Sequence, residues 1–132
     1  MEDWAKKINE LIPKLIKEHK EIYEMALKNS DLYQNTRDSF NEFVEKLQNH
    51  MYIEETWIFP FMVENGFFDE KSEETASQHQ EITSMLVYLE KARKEDFSKK
   101  YSELIGLLVD HHTSEEEYIF PRVLKFIEVE KG

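Results

Sequence analysis

Two His-x-x-x-Glu pairs carry the chemistry this chain is equipped for. His50 precedes Glu54 by four residues, and His111 precedes Glu115 by four. On a helix, four residues advance about 6 Å and return to the same face, so each pair sets an imidazole beside a carboxylate. Both pairs sit in a repeated stretch. His50-Met51-Tyr52-Ile53-Glu54-Glu55-Thr56-Trp57-Ile58-Phe59-Pro60 aligns with His111-His112-Thr113-Ser114-Glu115-Glu116-Glu117-Tyr118-Ile119-Phe120-Pro121, 61 residues on (50 to 111), with Trp57 answering Tyr118. His19-Lys20-Glu21-Ile22, with Met25, aligns with His79-Gln80-Glu81-Ile82, with Met85, at an offset of 60 (19 to 79). The chain is therefore one unit of about sixty residues written twice. Two copies are too few for a solenoid, so the repeat implies a closed, pseudo-symmetric domain.

Imidazole and carboxylate donors together suit iron, manganese or zinc. The four imidazoles of His19, His50, His79 and His111, with the carboxylates of Glu54 and Glu115, are too many ligands for one ion that keeps an open position. They fit two ions with the glutamates bridging, and leave open which histidines serve which ion. A single histidine on an apolar stripe is more often a hydrogen-bonded core residue, and a single His-x-x-x-Glu is common on solvated helices. The joint pattern decides for metal. Four of the five histidines fall on apolar stripes, and both glutamates recur at the same spacing. A buried carboxylate costs several kcal/mol unless paired or metal-bound. His112 lies one step around from His111 and is expected at the surface or as an outer partner, not as a ligand. Glu55 and Glu116 share one offset from the pairs and are expected at the solvent edge, or as acceptors for the outer N–H of a metal-bound histidine.

The elements that must position these groups are helices. Trp4, Ile8, Leu11, Leu15, His19, Ile22 and Ala26 step by three or four over residues 4–28. Pro13 interrupts this stripe and must either kink the helix or begin its main part; the break is the preferred reading, with residues 1–12 as an N-terminal arm. Asn29-Ser30-Asp31 signals a loop. Phe40, Phe43, Leu47, His50, Glu54, Trp57 and Phe61 give a second helix from about Asp38 to Val63, bent at Pro60 and stopped by Asn65-Gly66. Ser72 is the expected cap of the third, whose stripe is His79, Ile82, Leu86 and Leu89. Asp96 or Ser98 is expected to cap the fourth, whose stripe is Tyr101, Leu104, Leu108, His111, Glu115 and Tyr118. Four long helices with short loops make an all-α, up-down-up-down four-helix bundle.

Composition narrows the function. The 132 residues form one domain with only three Gly and three Pro, as suits a helical protein. There is no cysteine, which removes disulfides, thiolate metal sites and iron–sulfur ligation by this chain. A formal charge of −11 repels a phosphate backbone, so nucleic acid is not an expected partner. No run of apolar residues is long enough to span a membrane and no secretory leader pattern is visible, so a cytoplasmic protein is expected.

With these residues in place, the sequence resembles the hemerythrin-like family, also called HHE cation-binding domains. The resemblance covers nearly all of residues 13–126. It is carried by His19, by His50-Met51-x-x-Glu54-Glu55-x-x-Ile58-Phe59-Pro60, by His79, and by His111-x-x-x-Glu115-Glu116-x-x-Ile119-Phe120-Pro121-Arg122. It implies a non-haem di-iron centre, two iron ions bridged by the two glutamates and an oxo or hydroxo group, with zinc or manganese also able to occupy the donors. Oxygen-carrying hemerythrins have five histidines, with His-x-x-x-His on the third helix and His-x-x-x-x-Asp on the fourth. Here Thr83 follows His79 by four, and the fourth helix carries His-x-x-x-Glu. The four-histidine, two-glutamate set looks closer to the repair-of-iron-centres proteins, although the cysteine-containing N-terminal domain those commonly carry is not in this sequence. A ferritin-like site needs Glu-x-x-His pairs. Ile16, Leu47, Ala76, Leu108 and Val109 stand three residues before the histidines, so that class is rejected.

The expected function is binding of, or reaction with, O2, NO or peroxide at an open iron position, beside apolar residues that include Phe43, Leu47, Trp57, Met85, Leu108 and Tyr118. Iron donation to damaged iron–sulfur proteins is the alternative, with an apo iron–sulfur protein as partner. A metal-independent helical interaction module is the third reading. Paired metals also activate water, but no additional acid, base or substrate-positioning group argues for a hydrolase.

Overall fold

The computed structural model describes residues 2–28 and 37–131, so the Asn29-Ser30-Asp31 loop signal lies outside the described residues. Helix α1 is Glu2–Lys28 and α2 is Arg37–Ile53. A single π turn at Glu54–Ile58 joins α2 to α3, Phe59–Glu64. Helix α4 is Glu70–Lys91 and α5 is Lys94–Ser114. A second π turn, Glu115–Ile119, continues α5 into α6, Phe120–Lys131. The described chain is thus four helical rods: α1, α2 with α3, α4, and α5 with α6. No strand occurs among the described residues. Helix α1 packs on α2, α5 and α6, and α4 packs on α5, as an up-down-up-down bundle requires.

Helix α1 runs through Pro13 without a break, so residues 2–12 are its first turns and not a separate arm. Proline in a helix interior costs about 3 kcal/mol. Around it Ile8, Leu11, Ile12 and Leu15 are buried, each contributing about 1.5–3 kcal/mol, so packing outweighs the lost bond. Trp4 adds a tie to the second rod, its Nε1–H donating to the Trp57 carbonyl at 3.2 Å.

The rod ends follow local chemistry. Gly66 adopts φ 77°, the left-handed conformation that lets Gly66 N–H reach Val63 O at 3.2 Å and Phe67 N–H reach Met62 O at 3.0 Å. The cap of α4 is Asp69 and not the expected Ser72. Ser72 N–H and its hydroxyl both donate to Asp69 Oδ1, at 3.0 and 2.7 Å. Asp69 holds the extended backbone that a cap needs, whereas Ser72 already lies inside the first turn. Helix α5 begins at Lys94 with no side-chain cap, earlier than Asp96 or Ser98 would place it.

The core is divided. One apolar cluster contains Ile22, Phe43, Leu47, Ile82, Leu86, Leu104 and Leu108. The other contains Ile8, Leu15, Ile58, Phe59, Phe61, Ile119, Phe120 and Val123. Between them the stripes turn polar. Leu15 and Ile22 bracket His19, Leu47 and Ile58 bracket His50 and Glu54, and Leu108 and Ile119 bracket His111 and Glu115. This buried polar layer is what the fold positions.

Candidate metal centre

Glu54 and Glu115 each open a π turn. Phe59 N–H bonds back to Glu54 O, and Phe120 N–H bonds back to Glu115 O, five residues away in both cases. Each turn ends just before a proline, Pro60 or Pro121, whose missing N–H leaves an upstream carbonyl without its usual donor. A wider turn at this point re-registers the rod, and such bulges concentrate at functional sites. One consequence was not visible in the periodicity. Trp57 and Tyr118 are carried toward the flanks, Trp57 under the Lys7 ammonium and Tyr118 donating its hydroxyl to Asp69. The rings against the histidines are Phe59, 5.6 Å from His79, and Phe120, 5.9 Å from His19.

The six expected residues, His19, His50, Glu54, His79, His111 and Glu115, are all buried in this one layer, with both glutamates at 0% exposure. His50 Nε2 lies 3.3 Å from Glu54 Oε2, and His111 Nε2 lies 3.2 Å from Glu115 Oε2, within each helical pair. His79 Nε2 is 3.1 Å from Glu54 Oε1, and His19 Nε2 is 2.9 Å from Glu115 Oε1, between rods.

The outer nitrogens follow a rule. Nδ1 of His19 bonds Glu116 Oε2 at 3.0 Å, and Nδ1 of His79 bonds Glu55 Oε1 at 2.9 Å. Each copy of the repeat thus supplies the acceptor for the other copy's histidine, which gives Glu55 and Glu116 their role. Nδ1 of His50 bonds Glu18 Oε1 at 3.0 Å, and Nδ1 of His111 bonds Gln78 Oε1 at 2.8 Å. Glu18 and Gln78 were not anticipated. Their signal was present, since each is a long polar residue immediately before a repeated histidine. With Nδ1–H donating outward, the inward Nε2 of a neutral imidazole is a lone pair.

Two donor groups emerge. Single donor atoms of His19, His50, His112 and Glu115 lie within 4.8 Å of one another, and so do those of Glu54, His79, His111 and Glu115. Glu115 belongs to both. His112, expected at the surface or as an outer partner, is buried and lies within the first group. Helix α5 faces α4 on one side and α1 on the other, so one step around from His111 turns toward His19 rather than toward water. The two rings stack at 3.8 Å with 9° between planes.

The layer is electrostatically poised for cations. Burial works against charging His50, but Glu54, Glu115 and Glu18 override it and push its pKa up to about 12. His79 is raised in the same way, against burial, by Glu54 and Glu55. Glu115 is held well below the ordinary carboxylate range. Burial opposes this, and the adjoining Glu54, His111 and His19 overcome it. His112 goes the other way. Burial, reinforced by repulsion from His19, drives it down to about 2, so it stays a neutral nitrogen donor.

The donors fit metal on an observation internal to the structure. Among the described residues, His50 Nε2, both Glu54 oxygens, Glu115 Oε2 and His112 Nε2 are enclosed side-chain atoms with no hydrogen-bond partner, and all five belong to this layer. Unpartnered buried polar atoms are rare and costly. Comparison with curated proteins and with solved structures gave no match. The family description "Hemerythrin HHE cation binding domain" matches residues 6–123, which takes in every donor named above. The chain is a metal-binding, all-α four-helix bundle and belongs to the hemerythrin HHE cation-binding family.

Proposed function

We propose that the centre holds two iron ions, one on His19 and His50 and one on His79 and His111, with Glu54 and Glu115 shared between them, and that it binds or reacts with O2, NO or peroxide. The observation that carries this reading is the meeting of His79 Nε2 and His111 Nε2 at 3.0 Å while both Nδ1 atoms bond outward to acceptors. Two inward imidazole nitrogens face each other there beside Glu54 and Glu115, and positive charge between them holds the contact, a proton in the metal-free protein. A proton supplies one charge, whereas a divalent ion supplies two and cross-links more donors. Mixed imidazole and carboxylate donors suit iron, manganese and zinc, and bound iron would supply redox and small-ligand chemistry.

The chain's own contribution is positional. Glu116, Glu18, Glu55 and Gln78 fix the ring orientations through Nδ1. The two apolar clusters keep bulk water from both sides of the layer, which strengthens every charge interaction within it. The test is anaerobic loading with ferrous iron, followed by O2 or NO, with the visible absorption recorded. A new ligand-dependent band supports the reading; an unchanged spectrum in fully loaded protein refutes it.

Iron donation to an apo iron–sulfur protein is the second reading. It is favoured by a cleft between α1 and α5 lined by His19, His112 and Glu116 together with Ile16, Tyr23 and Val109. The cleft brings the edge of the donor layer to the surface. Iron transfer no faster than from free ferrous ion would remove this reading.

A further inference from the structure

The cleft between α1 and α5 is built from residues that the repeat does not require. On α1 its wall is Ile16, Lys17, Lys20 and Tyr23. At the offset of 60 the other copy carries Ala76, Ser77, Gln80 and Thr83 (16 to 76, 23 to 83). On α5 the wall includes Val109, whose counterpart 61 residues back is Gln48 (48 to 109). Three large apolar side chains and two cations thus line this side, where the other copy is small or uncharged at every one of those places. The bundle packs with either set, so packing alone asks for neither. Glu116 does keep its counterpart, Glu55, because each accepts from a histidine, at 3.0 and 2.9 Å.

Ile16, Tyr23 and Val109 are exposed yet gathered in one cleft. Apolar side chains grouped in this way mark a binding surface, whereas scattered ones do not. Among the described residues neither Lys17 nor Lys20 is paired with a carboxylate, whereas Lys46 meets Glu21 at 3.7 Å and Lys100 meets Glu103 at 3.1 Å. On a chain of formal charge −11, two such cations beside one carboxylate, itself engaged with His19, make a locally positive spot. The cleft volume is about 580 Å³, in the range of small-molecule sites. Its buried end is the stacked pair of His19 and His112 rings, 3.8 Å apart. The α1 wall runs from residue 16 to residue 23, about 10 Å. That length suits one ring system or a short chain, not a docked helix.

We infer that this cleft binds a small organic carboxylate with an apolar body, the carboxylate held by Lys17 and Lys20 and the body against Ile16, Tyr23 and Val109. The ligand lies across the edge of the donor layer, over His19 and His112, and the site does not depend on which ion fills that layer. Lysine stems also shield apolar neighbours from water with no ligand present. The two roles differ in what the ammonium groups do when a carboxylate is offered.

The test titrates the full chain by calorimetry with naphthoate and octanoate, and with naphthalenemethanol and octanol as their neutral counterparts. An exposed charge contact is worth up to about fivefold, so two of them should make at least one carboxylate bind about tenfold tighter than its alcohol. Lys17→Ser and Lys20→Gln, which install the other copy's residues, should each weaken that carboxylate by up to about fivefold and leave the alcohol unchanged. Tyr23→Thr should weaken both. Ser77→Ala and Gln80→Ala, on the other copy, should change neither. Circular dichroism and metal content should match the parent, since all the altered side chains lie outside the donor set. In the unaltered protein, salt at about 1 M, where the Debye length is about 3 Å, should bring the carboxylate down toward the alcohol, a result that decides the matter even where a variant misfolds. Failure of both carboxylates to bind, binding no tighter than that of the alcohols, or binding indifferent to salt and to both lysine variants overturns the inference while leaving the metal centre standing.

Discussion

His79 Nε2 and His111 Nε2 lie 3.0 Å apart, each ring anchored from behind, His79 by Glu55 and His111 by Gln78. The two histidines come from α4 and α5, whose packing sets this distance. Imidazole nitrogens held this close with outward-donating Nδ1 atoms share positive charge between them, a proton in the metal-free protein, whose place a metal ion would take. The same holds across the layer, where lone pairs and carboxylate oxygens converge from all four rods.

Metal should therefore stabilise the fold. A ligand that binds only the native state adds RT ln(1 + [L]/Kd), about 2.7 kcal/mol at a hundredfold excess over Kd. Chelation should lower Tm and ferrous ion or zinc should restore it in proportion to log concentration, as thermal melts followed by circular dichroism would show. A Tm indifferent to both would contradict this.

Loading should expel protons. In the metal-free protein the pKa of His50 is raised from 6.5 to about 12, and that of His79 is also raised. Their folded values exceed the unfolded ones, so the stabilisation they give the metal-free state is complete below pH 6.5 and is lost as pH rises through about 12 for His50. An entering ion needs the same nitrogens deprotonated, so metal affinity rises with pH across this window. Calorimetry in buffers of different ionisation enthalpy should report net proton release per ion; none would count against the assignment of these residues as ligands.

Glu115 and His79 should fail differently. Glu115 contributes to both donor groups and His79 to one. Glu115→Gln should weaken both ions, and His79→Gln chiefly one, in metal-to-protein ratios after gel filtration. In the metal-free protein, Glu115→Ala removes a fully buried carboxylate facing His19 and His111. Breaking a buried pair in this way costs about 3–5 kcal/mol, measurable by urea unfolding.

Asp69 ties two rods together outside the layer. It caps α4 through Ser72, accepts from the Tyr118 hydroxyl and pairs with Arg122 at 3.1 Å. Asp69→Ala should cost about 1 kcal/mol through the lost cap. The Tyr118 and Ser72 hydrogen bonds depress its pKa from 3.8 to about 2. Its contribution is therefore present above pH 3.8 and fades as pH falls toward 2, so the gap between Asp69→Ala and the parent should close in acid unfolding curves.

Most of the fold was legible because the stripes are regular. His19, His50, His79 and His111 interrupt apolar runs at helical spacing, and that spacing alone places them inside. Three features were not legible in that way. The π turns at Glu54 and Glu115 depend on backbone re-registration before Pro60 and Pro121, and this sent Trp57 and Tyr118 outward while bringing Phe59 and Phe120 onto the histidines. His112 lies off the narrow stripe, and its burial follows from α5 being flanked by both α1 and α4. Pro13 signalled a break that the packing of Ile8, Ile12 and Leu15 overrides.

Anomalous diffraction from crystals of freshly purified, iron-loaded protein tests the central claim most directly. Two peaks are predicted within about 2.0–2.3 Å of ligand atoms, one on His19 and His50 and one on His79 and His111, with Glu115 reaching both. A single peak, or no peak with the His79 and His111 rings still facing each other across an empty gap, would contradict it.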